Sequence, residues 1–332
     1  MNKPLIGRRA VLATALTVSL ASRVRAEDLR QLKVAVSSTS FAMGSVRIGM
    51  EAGLFAKRGL QLNIVVMDSG SATMAALFSH SADLVIAGVG EMLAARAHGL
   101  DVALVNNNYH NFAGWVVLGK AAAAKLAVKP DAPLHDRLKA LDGLTIAVPS
   151  ATSALLAPVR SAAVDAGGNA HYTYMSQPAM VAAVESGAVD GMIASFPFAG
   201  RPVVRGTGVL WIDGVRGDLP ASSMPASSSC MLTTREYHDA NLDTIRRIQL
   251  AMVDEAVFIR QHPAEARAAL TKAYSDMDPA EVGLAFDKQA DNWTYPFLTE
   301  GDMRQELKLL RMSVDLPGLA DLDVTKAIFP HP

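Results

Sequence analysis

Short apolar runs alternate with stretches of helical periodicity along most of the chain. Leu32 to Val36 is apolar and runs into Ser37-Ser38-Thr39-Ser40. From Phe41 to Lys57, the residues Val46, Met50, Leu54 and Phe55 fall at helical spacing. This predicts a helix, with Gly53 as its weak point and Gly59 as its C-cap. Leu62 to Met67 is rich in Ile and Val and reads as a strand. Asp68-Ser69-Gly70-Ser71 then turns into a second helix, and Asp83 to Ala87 is a third short strand. Strands alternating with helices predict an open, mostly parallel α/β sheet.

The same order recurs. Leu144 to Ser150 repeats the L-x-[VI]-A-V-x-S pattern of Leu32 to Ser38. His171 to Met175 matches the strand ending at Met67, Ala182 to Ser186 matches Ala75 to Ser79, and Asp190 to Ser195 matches Asp83 to Gly88. Met67 lies sixteen residues before Asp83 and Met175 fifteen before Asp190, so the order is kept at matched spacing. Two similarly built lobes follow. Ala121 to Ala124 with Lys129-Pro130-Asp131-Ala132-Pro133 reads as one linker, and Arg216 to Ser229 as a second junction. The expected division is residues 27–118 with 228–332 as one lobe and its C-terminal helices, and 119–227 as the other. After Cys230 the sequence reads as helical, with helices over Asp243 to Gln261, Ala264 to Tyr274, Pro279 to Gln289 and Asp302 to Met312.

The first 26 residues change the picture of where the chain works. Lys3, Arg8 and Arg9 precede an apolar stretch from Ala10 to Ala21, and Val24-Arg25-Ala26 offers a cleavage site. This predicts a signal peptide over 1–26 and a periplasmic destination, with Arg8-Arg9 resembling a twin-arginine export signal. The remainder carries 26 Lys+Arg against 32 Asp+Glu, a net charge of −6. That argues against nucleic acid and anionic membrane as partners, since both need a basic patch. No later segment is long and apolar enough to span a bilayer, so no stable membrane insertion is expected after cleavage. Cys230 is the single cysteine, which rules out an intrachain disulfide.

Four segments resemble the family of periplasmic binding proteins for sulfonates, nitrate, taurine and the pyrimidine precursor of thiamine. They are Ala52 to Leu60 (AGLFAKRGL), Asp68 to Leu77 (DSGSATMAAL), Ala82 to Ala95 (ADLVIAGVGEMLAA) and Leu141 to Leu156 (LDGLTIAVPSATSALL). The resemblance implies a two-lobed, type II-like binding-protein fold. Each lobe would be a mostly parallel sheet flanked by helices, with a helical C-terminal segment. It implies a small-molecule ligand in the cleft, an ABC-importer permease as partner and a monomeric chain. The family's third-strand step in the second lobe often carries a carboxylate or Trp. Here it reads Ser195-Phe196-Pro197-Phe198-Ala199. The cysteine-rich segment of the branch that synthesises the thiamine pyrimidine has no counterpart, which excludes that chemistry.

In open α/β sheets ligands sit beyond the carboxyl ends of the strands. That rule selects Ser38, Gly70, Ser71, Gly88, Gly90, Glu91, Ser150, Thr152 and Ser153 as ligand contacts. The hydroxyl residues serve equally as helix caps. Ser71, Thr152 and Ser153 coincide with the ligand loops that the resemblance implies. Phe41, Tyr109, Phe112, Trp115, Phe196 and Phe198 gather at these ends as candidates to stack on a ligand, with lobe packing as the alternative. Of these, Phe41, Tyr109 and Phe196, with the neighbouring Pro197, are selected as ligand contacts. Glu91 is the one acidic residue in these loops, and Asn107 stands for the Asn106-Asn107-Asn108 run that ends the strand from Asp101 to Val105. Gly88-Val89-Gly90 begins a dinucleotide fingerprint but Leu93 replaces its last glycine. The histidines show no metal-ligand spacing. Neither a cofactor nor catalysis is expected; an enzyme or a sensor on the same fold is the alternative.

Overall fold

The computed structural model describes residues 29–67 and 69–331, so the expected signal peptide lies outside the described residues. The first half runs β1 (Arg30–Val36), a single 3₁₀ turn, α1 (Gly44–Glu51), α2 (Leu54–Lys57), β2 (Leu60–Val66), α3 (Gly70–Phe78), β3 (Leu84–Ala87), α4 (Val89–Ala97) and β4 (Val102–His110). The second half runs β5 (Gly114–Gly119), α5 (Lys120–Lys125), α6 (Leu134–Lys139), β6 (Thr145–Val148), α7 (Leu156–Asp165), β7 (His171–Tyr174), α8 (Gln177–Ser186), β8 (Gly191–Ser195), α9 (Gly200–Val204) and β9 (Gly208–Asp213). The chain then returns through β10 (Ser227–Thr234), α10 (Arg235–Ala240), α11 (Leu242–Gln261), α12 (Pro263–Ala273), α13 (Pro279–Gln289) and α14 (Glu300–Ser313).

These strands build two five-stranded sheets, ordered β2-β1-β3-β10-β4 and β7-β6-β8-β5-β9. Each sheet has the repeated βαβαβ unit on one side and one antiparallel strand in fourth place. Val34 faces Ile64 and Leu84 across β1, and Ile146 faces Tyr172 and Gly191 across β6. The mixed α/β architecture is the one the alternation predicts. The predicted helix from Phe41 to Lys57 is broken, because Gly53 adopts φ 69° and starts α2 afresh.

Alternation puts successive side chains on opposite faces. Val34, Leu84 and Met231 pack under α11, while Ala35, Val85 and Leu232 pack under α4 and α14. The second sheet is covered in the same way, by α7 on one face and α8 on the other. α12 and α13 enclose a fifth apolar cluster around Phe41, Tyr109 and Trp293.

Three expectations change here. β5 hydrogen-bonds to β8 and β9, so the chain crosses between sheets at 111–113 rather than at 118/119. The small-residue stretch at 121–124 is α5, and with Leu134 of α6 it packs on the second sheet's core instead of joining the lobes. The helices expected after Cys230 are present as α11 to α14, but Cys230 and the four residues after it still belong to a strand. Cys230 sits inside β10, paired with Ala87 on one side and Asn107 on the other. The serines before it suggest a turn, but their hydroxyls are bonded within the sheet: Ser227 Oγ donates to Asn107 Oδ1 at 2.7 Å and Ser228 Oγ to the Asn111 carbonyl at 2.7 Å.

Candidate functional site

The carboxyl ends of β1, β3, β6 and β8 point into one crevice between the sheets. The first half brings Ser37, Ser38 and Ser40 after β1, Gly70 and Thr73 from the start of α3, and Gly88 and Glu91 from the start of α4. The second half brings Pro149, Ser153 and Leu155 after β6, Gln177 from the start of α8 and Ser195 from the end of β8. Ser228 and Ser229 of β10 complete the wall. The cavity they enclose is about 70 Å³. A water molecule needs about 10–15 Å³ on this measure, so the space suits a few waters or a very small solute.

Three hydrogen bonds close the crevice from one half to the other. Ser150 Oγ donates to Glu91 Oε1 at 3.0 Å, Gln177 Nε2 donates to Ser38 Oγ at 3.0 Å, and the Phe41 N–H donates to the Phe196 carbonyl at 2.7 Å. Gln177 is itself fixed, because its Oε1 accepts the Ser195 N–H at 2.8 Å and the Ser195 hydroxyl at 3.0 Å. A bridge Ser195–Gln177–Ser38 therefore spans the cleft. Gly90 marks the closest approach: a Cβ there would stand 2.3 Å from the Thr152 carbonyl oxygen.

Glu91 is the one ionisable side chain lining this cavity among the described residues. It stands at the third position of α4, and its Oε2 accepts the Gly88 N–H at 2.9 Å. Burial pushes its pKa up, opposed by the hydrogen bonds from Ser150 and Gly88. Among the described residues no group of three or more His, Cys, Asp or Glu is placed to hold a metal ion.

Of the residues expected from the sequence, Ser38, Gly70, Gly88, Glu91 and Ser153 line the cavity. Ser150, Thr152 and Gly90 form its closing contact. Ser71 is exposed beside Ser69, 3.0 Å from its hydroxyl, where it serves the helix start. Phe41, Tyr109, Asn107 and Phe196 leave the list of wall residues. Phe41 and Tyr109 are fully buried, Phe41 with its ring 4.9 Å from Phe196 and 4.5 Å from Tyr274, and Tyr109 donating to Gln289. Asn107 is buried inside β4, which runs on to His110, and its amide donates to the Tyr295 carbonyl. The Phe196 ring lines a separate, apolar cavity of about 210 Å³ with Trp115, Leu210 and Leu284. Pro197, joined to Phe196 by a cis bond, is buried beside it. Gln177, Thr73, Ser228 and Ser229 were not expected. The repeat carries a signal for the first, since Gly70 and Gln177 both open the helix after a second strand.

This arrangement, two α/β halves joined by crossing strands with a polar crevice between the strand ends, is that of a two-lobed binding protein. The NMT1-like family profile matches residues 25–275, and the chain belongs to that family. Among curated proteins, none matches the sequence. Several solved structures share the fold. A Bordetella bronchiseptica RB50 protein is 20% identical, with a TM-score of 0.76 over 90% of this chain and 94% of its own. The alkanesulfonate-binding protein SsuA from Xanthomonas axonopodis pv. citri, bound to MOPS, is 18% identical, with a TM-score of 0.69 over 90% and 98%. The periplasmic nitrate-binding protein NrtA from Synechocystis PCC 6803 is 15% identical, with a TM-score of 0.67 over 91% and 86%. The latter two are binding proteins, and the fold is the periplasmic binding-protein fold found here.

Proposed function

We propose that the protein is the periplasmic solute-binding component of an ABC importer. It would be exported by its first 26 residues, trap one small molecule between its lobes and present the closed form to a membrane permease. The observation that carries this reading is the cavity itself. Its walls come from strand and helix ends of both halves, so a solute held there contacts both and favours closure. The solute classes that the family resemblance brings are sulfonates, nitrate-like anions and nitrogen heterocycles such as a thiamine pyrimidine precursor. The sulfonate and nitrate relatives are distant in sequence, so their ligands do not transfer by likeness alone.

The test is a thermal-shift and tryptophan-fluorescence titration over those three classes. Saturable stabilisation by one class supports the reading. No response to any small solute, from protein first freed of bound material by unfolding and refolding, overturns it.

A further inference from the structure

The polar groups around the cavity are unevenly assigned by charge, and this bears on which solute it takes. Among the described residues, no Lys, Arg or His lines it. The single ionisable group among the described lining residues is the Glu91 carboxyl, brought by the start of α4. An anion would enter a low-dielectric space with a carboxylate in it and no side-chain cation to balance either charge.

Helix starts are the usual alternative for holding an anion. Here two of the helix starts at the cleft, those of α3 and α4, already use their own acceptors, while that of α8 has no side-chain cap among the described residues. Ser69 Oγ takes the Ala72 N–H at the start of α3, and Glu91 takes the Gly88 N–H at the start of α4. In the turn before α7, Ser153 Oγ takes the Leu155 N–H. The positive end of α4 is thus answered by a carboxylate before any solute arrives.

A carboxylate has about four lone-pair positions. Ser150 and Gly88 use one on each oxygen, which leaves acceptor capacity on a side chain that lines the cavity. Around the carboxyl stand Ser150 from the second half, Gly70 of α3 and the Cys230 thiol of β10, whose own pKa is raised by burial and by Glu91. None of these is a cation.

We infer that the cleft is built for a solute that presents N–H donors, neutral or cationic, to Glu91, and that it discriminates against anions. This rests on the solute-binding reading and names the class of solute for the same site. Ionised Glu91 is the competent acceptor. Binding of a permanent cation therefore strengthens as pH rises through the raised pKa of this carboxyl, whereas an anion follows the opposite trend.

The test is titration calorimetry of the full chain and Glu91→Gln with methylguanidinium and acetamide as N–H donors, and nitrate and methanesulfonate as anions, at about pH 5 and about pH 8. Glutamine keeps an acceptor for the Gly88 N–H, so the fold is retained, which a melting curve checks. Methylguanidinium should bind the wild type at the higher pH and lose at least tenfold in affinity at the lower pH and in Glu91→Gln. The anions should bind the wild type more weakly and gain from Glu91→Gln. Tighter binding of nitrate or methanesulfonate than of methylguanidinium, or indifference of methylguanidinium to Glu91→Gln, overturns the inference and leaves the solute-binding reading standing. Silence from both classes overturns the two together.

Discussion

After the third strand of each half the backbone makes the same manoeuvre with opposite chemistry. β3 ends at Ala87, and the turn through Gly88 into α4 sets Glu91 at the cleft. The approach is tight enough to require glycine: a Cβ on Gly88 would lie 2.5 Å from Glu91 Oε2 and 3.2 Å from the Ala154 nitrogen. β8 ends in Ser195, whose polar groups are held by Gln177, and the chain then turns Phe196 and Phe198 away into apolar surroundings. One turn sets an acceptor at the cavity. The other anchors one half against the other, with Phe196 set edge-on to Phe41 and to Trp115 at 4.9 and 6.1 Å. A repeat of structure therefore fixes where a cleft residue stands but not what chemistry it brings.

If the apolar turn is an anchor, its partner Phe41 should be the costliest residue to truncate. Phe41→Ala empties a fully buried ring site and should destabilise by about 3–5 kcal/mol in urea unfolding. A loss under about 1 kcal/mol would return Phe41 to the cleft wall.

The polar half should also be the pH-sensitive one. Glu306 of α14 accepts the Ser227 N–H at 2.9 Å, where β10 begins and carries Ser228 and Ser229 to the cavity. Burial pushes its pKa up from 4.5 to about 7. A raised folded-state value means stability that is complete at the ordinary pKa and below, and is lost as pH rises through about 7. Glu91 and Glu255 are shifted in the same direction by burial. Relative to wild type, Glu306→Gln should therefore gain about 3 kcal/mol of stability between about pH 4.5 and pH 8. Parallel stability–pH curves for the two proteins would contradict this.

Phe196→Ala has the smallest expected effect. The ring is only partly buried, and its loss should cost about 1–2 kcal/mol of stability, the scale of an aromatic pair and its area. Solute affinity of the folded protein should stay within about twofold, because the ring lines the other cavity. A tenfold loss of affinity at unchanged stability would place Phe196 in the binding site after all.

The βαβαβ units were legible because their strands are short apolar runs with turn residues at each end. β10 was not, and β4 was legible only as far as Val105, since Asn and Ser ordinarily signal turns. Inside the sheet those side chains bond to one another: Asn106 donates to Asn108 Oδ1 at 2.7 Å and Asn108 to Ser229 Oγ at 3.5 Å. Such cross-strand pairing has no local signature. The site was legible to the same degree. Helix starts such as Gly70, Gly88 and Glu91 follow from strand ends, whereas Ser228 and Ser229 reach the cleft on a strand that returns more than a hundred residues later. The aromatics misled because they cluster in sequence near strand ends but pack beneath the crevice, under α12 and α13.

The central claim is that solute is held by closure of the two halves over this cavity, and Gly90 tests it most directly. A methyl group there meets the Thr152 carbonyl at 2.3 Å across the closed cleft, whereas its nearest neighbour within its own half, Leu310 Cδ1, lies at an ordinary contact distance of 3.6 Å. The measurement is calorimetric titration of wild type and Gly90→Ala with the solute released from the purified chain, with melting curves on the solute-free proteins. Closure predicts at least a tenfold loss of affinity, about 1.4 kcal/mol, with the melting temperature unchanged or raised. Equal affinities for the two proteins would contradict it.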